Sequence, residues 1–322
     1  MVIGSEKSFG KRKNPALPLN ESLLRKSKQP PDAATNFMKK DFLVILTAGL
    51  VLFPPSSIVR ASTANSGSST SEVKSPDDPE KLFQEARRII KDPSPTKDVA
   101  KAMELMKNAA ATGHAEALGG LGYFYAYGVV VEKDEARAVQ CFTEGAEKGA
   151  AFAQLNLGRM LAFGKGVAKN EELGMVWIRR AADQNLSEAV AALGDIAYEG
   201  KFGQKKDLEA AFNYHLRAAE LGNVLSQNTV GVYLRDGFGV GPDEKKALAW
   251  FRKAAEQGDP KGQSNLGHLI GVEGKDRVEA LKWLFIAQAQ GEANAVHTLE
   301  EILPAIPKDE VEKARQAATT SK

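Results

Sequence analysis

The dipeptide Leu-Gly or Val-Gly recurs along most of this chain, and its even spacing constrains the fold more than any other feature. The spacings are 36, 36, 37 and 36 residues. The glycines are Gly122, Gly158, Gly194, Gly231 and Gly267. A period of this size is typical of proteins that stack one small supersecondary unit many times. The sequence therefore predicts a repeat protein.

Each copy contains two segments, helix A and helix B, in which apolar residues recur at the period of an α-helix. Helix A carries the Leu-Gly dipeptide. Helix B carries a small residue and then a bulky pair. The small residues are Ala138, Gly174, Ala211, Ala247 and Ala280, and the pairs are Cys141-Phe142, Trp177-Ile178, Tyr214-His215, Trp250-Phe251 and Trp283-Leu284. We predict that helices A and B cross closely at the small residues. The aromatic stripe of Trp177, Tyr214, Trp250 and Trp283 is predicted to lie in the core.

Residues that begin and end helices bracket helix B. Four positions before each small residue is an Asp or Asn, whose side chain accepts hydrogen bonds from the free N–H groups of a helix start. These residues are Asp98, Asp134, Asn170, Asp207, Asp243 and Asp276. The far end carries Gly113, Gly149, Asn185, Gly222, Gly258 and Gly291, the residue types that tolerate a left-handed cap. Capping explains the recurring aspartates better than catalytic carboxylates or calcium ligands do.

The complete pattern resembles the Sel1-like repeat, a relative of the tetratricopeptide repeat. It reads Ala-x-x-x-Leu-Gly-x-x-Tyr-x-x-Gly-x-Gly-Val, followed by Asp-x-x-x-Ala-x-x-Trp-Phe-x-x-Ala-Ala-x-x-Gly. The resemblance implies an all-α fold, an α-solenoid of helix-turn-helix repeats over residues 80–322. Full copies are expected at 115–150, 151–186, 187–223, 224–259 and 260–292, with a diverged copy at 80–113 and a capping tail at 293–322. The departures are Asn185, Gly174 and a shortened loop near Gly271.

An export signal is predicted at residues 38–61. A charged start at Met38 is followed by an apolar run from Phe42 to Phe53 and by a Val59-Arg60-Ala61 ending with small residues at the −3 and −1 positions. We expect cleavage after Ala61 and a periplasmic or secreted location. The alternative is an uncleaved membrane anchor that leaves the solenoid outside the cytoplasm, although the run is shorter than the ~20 residues that span a bilayer.

The segments on either side of this signal are polar. Residues 1–37 are expected to be a disordered extension or a mis-assigned start, with translation beginning at Met38. Residues 62–79 are rich in Ser, Thr, Asp and Pro and are predicted to be a flexible linker.

Several kinds of site are excluded by what the sequence lacks. Cys141 is the only cysteine, so there is no internal disulfide and no Cys-rich zinc site. The formal net charge is +2, without the clustered Lys and Arg that nucleic acid binding requires. The run Gly237–Gly241 follows a helix rather than a strand, so it is predicted to be an inter-helix turn and not a nucleotide loop. We expect no cofactor, no metal and no enzymatic activity.

A binding surface is predicted on helix A. The residue after each repeat glycine varies while the frame stays constant: Tyr123, Arg159, Asp195, Val232 and His268. The tetratricopeptide relationship implies that helix A lines the concave surface. The candidate residues are Tyr123, Tyr127, Arg159, Asp195, Asn228, Asp236 and His268. We expect a non-catalytic scaffold or adaptor of the cell envelope whose partner is a protein or peptide.

Two other functions stay open at this level. A hydrolase acting on peptidoglycan or a related amide would need a nucleophile and a base, for which Ser226, Ser264 and His268 are the available residues. A structural component would keep residues 38–61 as a membrane tether. A membrane is expected to take part only if that segment stays uncleaved.

Overall fold

The structure, a computed structural model, describes residues 78–92, 94, 98–274 and 276–320, and these residues form fourteen α-helices and one 3-10 turn. The helices are α1 Pro79–Lys91, α2 Val99–Ala111, α3 Ala115–Tyr127, α4 Glu135–Glu147, α5 Ala151–Phe163, α6 Glu171–Asp183, α7 Ser187–Glu199, α8 Leu208–Glu220, α9 Val224–Asp236, α10 Glu244–Glu256, α11 Pro260–Glu273, α12 Arg277–Ala289, α13 Ala293–Ile302 and α14 Lys308–Thr319. The 3-10 turn is Leu303–Ala305. The described residues contain no strand.

The chain divides into two compact units, and the division after Arg217 falls within α8. In the first unit, helices pack as the pairs α1–α2, α3–α4 and α5–α6, and each pair also contacts the next helix along the chain. In the second unit the pairs are α9–α10 and α11–α12, and α14 packs on α12. This arrangement confirms the predicted all-α, α-solenoid fold class.

The predicted helix caps are confirmed. Each of the six Asp or Asn residues accepts a hydrogen bond from the main-chain N–H three residues later. Each residue predicted to close helix B has a positive φ, including Asn185 at 60°. These side chains therefore act as helix caps, because each satisfies a helix-start donor that would otherwise be unpaired.

Close crossing of helices A and B is also confirmed. A Cβ on Gly158 would lie 2.7 Å from the carbonyl oxygen of Gly174, and a Cβ on Gly174 would lie 2.7 Å from that of Gly158. In the second unit a Cβ on Gly267 would lie 2.7 Å from the carbonyl oxygen of Ala280. Helix backbones that approach this closely leave no room for a side chain on either glycine.

The bulky pairs divide between the core and the surface. The second member of each pair is buried; Phe251, for example, would lie 2.5 Å from a Cβ on Gly231. The first members Trp177, Tyr214 and Trp250 are half-buried, and Trp177 packs against the hydrophobic core, so these three lie at the edge of the core and not within it. Adjacent residues on a helix point about 100° apart, so only one member of a pair can fill the crossing. Trp283 is buried as predicted.

Cys141 holds the position of these first members in α4 and is likewise half-buried. Burial raises the pKa of its thiol to about 11. The thiol is therefore protonated at neutral pH and unreactive as a nucleophile, because the thiolate is the reactive form.

The run Gly237–Gly241 joins α9 to α10, which confirms that it is an inter-helix turn. The predicted signal and the extension before it lie outside the described residues, as does the linker up to residue 77. The linker was predicted to end at residue 79, but α1 already begins at Pro79, with Asp78 as its N-cap. Within residues 78–320, apart from the gaps given above, no helix combines the length and apolarity that a membrane span requires.

Candidate protein-binding surface

Two of the predicted binding residues form an aromatic cluster on α3. The rings of Tyr123 and Tyr127 lie 4.5 Å apart, and the ring of Tyr123 lies 6.3 Å from that of Phe152, on helix A of the next repeat. Tyr123 is only 8% exposed, whereas Tyr127 is half-buried. Tyr127 is therefore the more accessible member of this cluster.

The predicted residues Arg159 and Asp195 are half-buried in the first unit. Asp195 lies 3.5 Å from Nε2 of His215, a buried helix B residue. The His215 ring occupies the crossing position and would lie 2.8 Å from a Cβ on Gly194. Asp195 thus has a partner within its own repeat, and its carboxylate is only partly available to another molecule.

Three predicted residues come together in the second unit with two residues that the sequence did not single out. Asn265 Nδ2 donates to Oδ1 of Asn228 over 2.8 Å, and Arg235 Nη1 donates to Oδ1 of Asn265 over 3.5 Å. These hydrogen bonds join neighbouring A helices, α9 and α11. We call Asn228, Arg235, Asp236, Asn265 and His268 the polar row.

Arg235 and Asp236 form the charged part of the polar row. The Arg235 guanidinium donates to both carboxylate oxygens of Asp236, over 2.7 and 2.8 Å. Both side chains are largely covered. A two-point contact of this kind satisfies charges that would be costly to bury alone. The pair fixes the orientation of the side chains in the polar row and does not offer a free charge to a partner.

His268 contributes an unused hydrogen-bonding group. Burial lowers the pKa of His268 to about 4, with a smaller contribution from Arg235, so the ring is neutral at physiological pH. Its Nε2 is buried and has no hydrogen-bond partner among the described residues. Unpaired buried polar groups are rare in folded proteins, so this nitrogen requires an explanation.

The seven candidates do not form the open surface that the sequence suggests. Tyr123 is buried, Asn228 is 7% exposed, and the other five are half-buried. Val232, which shares the position of Tyr123, is buried too. The reason is the stacking itself, because helix A of the next repeat covers much of the variable face. The candidate side chains that remain accessible to a partner are Tyr127, Arg159, Asp195 and those at the edge of the polar row.

Paired glutamines are a further feature of the repeats, and the repeat pattern given above does not include them. Gln154 is buried, and its Nε2 donates to the carbonyl oxygen of Ala146 at the end of helix B of the preceding repeat. Its Oε1 accepts from Nε2 of Gln184 over 2.8 Å, and the same Gln184 nitrogen donates to the carbonyl of Gly149. The relay gives the Ala146 carbonyl a second donor beside the main-chain N–H of Gly149, and it links the ends of two successive B helices.

The second unit repeats this relay twice. Gln227 donates to Ala219 and accepts from Gln257. The other copy joins Ala255, Gln263 and Gln290 in the same way. A sequence signal existed, because a Gln at the fourth position of helix A is always matched by a Gln just after helix B.

An open cavity of about 510 Å³ lies between α2 and the loop that follows α3. Met103, Tyr125 and Val131 line it together with Val130, and its charged lining residues are Glu104, Lys107, Glu132, Lys133, Asp134 and Arg137. Val130 is half-exposed and has a φ of 56°, a conformation that β-branched residues rarely adopt. The lining has as many positive as negative side chains, so it does not favour a ligand of either charge.

The described residues show no catalytic or metal-binding arrangement. Ser264 and His268 are one helical turn apart on α11, but no hydrogen bond joins them. Activation of a serine by a histidine requires such a contact. Within the described part of the chain, no group of three or more His, Cys, Asp or Glu side chains could hold a metal ion.

The sequence model of the Sel1 repeat matches residues 93–114, 115–149, 151–186, 187–223, 224–259 and 260–291. The chitin synthase regulatory factor 3 of Schizosaccharomyces pombe is 41% identical over 69 residues, which are 21% of this chain and 7% of that protein. This chain therefore aligns with only a small part of that curated relative.

Solved structures show the same helical arrangement. A Sel1 repeat protein from Oxalobacter formigenes superimposes with a TM-score of 0.61 and 29% identity, over 69% of this chain and 65% of that one. An immunity protein from Pseudomonas aeruginosa superimposes with a TM-score of 0.50 and 17% identity, over 68% of this chain and 84% of that one. The second likeness concerns the fold alone.

Proposed function

Because the chain belongs to the Sel1 repeat family, we propose that it is a non-catalytic scaffold that binds a protein or peptide through its A helices. Sel1 repeat proteins generally mediate protein–protein interaction. The S. pombe relative carries the name of a regulatory factor, and a binding role of that general kind is what we propose here.

The polar row is the observation that supports this proposal most strongly. His268 keeps its Nε2 without a hydrogen-bond partner among the described residues, in a row whose other members are linked by the Asn228–Asn265 and Arg235–Asp236 hydrogen bonds. A bound chain could supply the missing partner, because main-chain N–H and C=O groups are obligatory hydrogen-bonding groups. The half-buried Tyr127 offers an aromatic contact in the other unit, and aromatic residues are enriched at protein interfaces.

We also propose that the scaffold acts outside the cytoplasm, in the cell envelope. The support is the charged, apolar and small-residue order of residues 38–61. Mass spectrometry of the chain purified from its native source tests this, with an N-terminus near Ser62 as the expected result. Retention of residues 38–61 in membrane material would favour the tethered structural role. A soluble N-terminus upstream of Met38 would contradict export.

Crosslinking capture from native envelope material tests the binding role. The bait is the full chain, compared with the variant Asn265→Ala/His268→Ala, which removes two side chains of the polar row. The matched control is Lys245→Ala/Glu256→Ala on the exposed face of α10. We expect the first variant to lose a captured protein and the control to retain it, with both variants folded by circular dichroism.

Two outcomes would contradict this assignment. Capture of nothing by the unmodified chain would count against the scaffold. Loss of capture in the α10 control, with retention in the polar-row variant, would move the binding surface to the B helices.

A further inference from the structure

Helix α6 carries an exposed apolar strip that the other B helices lack. Leu173 is 41% exposed and Val176 is 39% exposed. The equivalent positions are polar or small elsewhere: Arg137 and Gln140 in α4, Ala210 and Asn213 in α8, and Lys246 and Ala249 in α10. The half-buried Trp177 borders the strip, with the guanidinium of Arg180 4.5 Å from its ring centre. Exposed apolar side chains grouped on one helix face are typical of an interaction site.

The charges around this strip are arranged symmetrically about Val176. Glu172 lies four residues before Val176 and Arg180 four residues after it. The pair combines one acidic and one basic residue. Glu172 is exposed and has no ion-pair partner among the described residues.

This symmetry identifies the occupant. When two identical helices pack antiparallel about a two-fold axis at Val176, Glu172 of one copy meets Arg180 of the other. Val176 meets itself. A two-fold interface requires a patch that is complementary to itself, in shape and in charge. A partner with an unrelated sequence would require neither an apolar residue at the centre of the patch nor charges of opposite sign on its two sides.

We propose that α6 is the contact through which two copies of this chain associate, antiparallel about Val176. The proposal goes beyond the scaffold function, because it uses the outward face of a B helix and leaves the A helices free for a partner. A single helix pair buries less than the roughly 1,200 Å² of a stable interface. The dimer therefore exchanges readily with the monomer, and its population rises with concentration.

Cysteine crosslinking gives the first test. Val176→Cys is compared with Ala249→Cys, the equivalent exposed position of α10, each in the full chain carrying Cys141→Ser. Only a residue near the two-fold axis meets its own copy, so mild oxidation should give at least about fivefold more disulfide-linked dimer from Val176→Cys. Equal yields from the two variants would overturn the proposal.

Charge exchange gives the second test, read by sedimentation of the full chain over a range of concentrations. Glu172→Arg alone and Arg180→Glu alone each place like charges opposite one another, so each variant should stay monomeric where the unmodified chain dimerises. An equimolar mixture of the two variants restores both opposite-charge contacts, and dimer should reappear. Dimerisation that ignores both substitutions, or a mixture that stays monomeric, would overturn the proposal. So would an unmodified chain that stays monomeric up to the highest concentration measured, ~100 μM.

Discussion

Arg217 donates from Nη2 to the side-chain oxygen of Asn185 over 2.7 Å, and from the same nitrogen to the carbonyl of Ala182 over 3.0 Å. Asn185 is the left-handed cap that replaces the usual glycine at the end of helix B. Ala182 holds the repeat position of Ala146, whose carbonyl is satisfied by Gln154. Arg217 therefore performs in this repeat the role that a buried glutamine performs elsewhere, and it explains why an asparagine serves as the cap.

We predict that Arg217→Ala lowers the free energy of unfolding by about 1–2 kcal/mol, because two acceptors lose a charged donor. Asn185→Gly removes one of these hydrogen bonds but favours the left-handed backbone, so its own cost is smaller. Thermal or urea melts of both single variants and of the double variant measure the coupling, which should be about 1 kcal/mol. Additive effects would show that the Arg217–Asn185 contact contributes nothing to stability.

A second prediction concerns the glutamine relay. Gln154→Leu should cost about 1–3 kcal/mol, because the Ala146 carbonyl loses its side-chain donor and Gln184 loses an acceptor. One of the repeats without a relay has Leu118 and Lys148 at the two glutamine positions. Adding Gln184→Lys to Gln154→Leu reproduces that pair and should recover part of the loss. A double variant less stable than the sum of the singles would contradict the relay.

Gly158 tests the helix crossing. Gly158→Ala would place its Cβ 2.7 Å from the carbonyl of Gly174, so the two helices must separate. We expect a loss of about 1–3 kcal/mol in urea melts. Gly241→Ala is the matched control, because a Cβ there meets nothing within 4 Å. Equal melting behaviour of the two variants would mean that α5 and α6 do not cross at this point.

We expect the His268 ring to contribute to the pH dependence of stability. Its pKa is lowered from 6.5 to about 4 in the folded chain. The unfolded chain therefore binds the proton first. The stability contributed by the neutral ring is present above pH 6.5 and is lost as the pH falls towards 4. His268→Gln should reduce the fall in stability between pH 7 and pH 4 by roughly 2 kcal/mol. A parallel fall in both proteins would contradict this account.

For Asp259 we expect the opposite pH dependence of stability. Burial raises the pKa of this carboxyl from 3.8 to about 6. Its contribution is therefore present below pH 3.8 and is lost as the pH rises through about 6. Asp259→Asn keeps a side chain that can cap α11 and removes the buried charge. We expect this variant to gain melting temperature relative to the unmodified chain at pH 7.5, and to lose that gain at pH 4.

The candidate site was predictable only in part. The variable positions of helix A were visible in the sequence, and Asn228, Asp236 and His268 do lie in one cluster. Their partners Arg235 and Asn265 were not visible, because neither repeats at a fixed position. Exposure was misjudged for Tyr123, since Phe152 of the next repeat lies against it.

The sequence by itself determined the helix pairs, their caps and their close crossings. Those features depend on residues within one repeat: Asp134 caps the helix that follows it, and Gly158 meets Gly174 because small residues recur in phase. Only the tertiary structure decided which side chains stay accessible and which satisfy one another across repeats. Gln154, Gln184 and Arg217 find their acceptors on other helices, and burial of a variable residue depends on what the neighbouring repeat places over it. The distances between these side chains and their acceptors are set by packing between repeats. The spacing of residues along the sequence does not specify that packing.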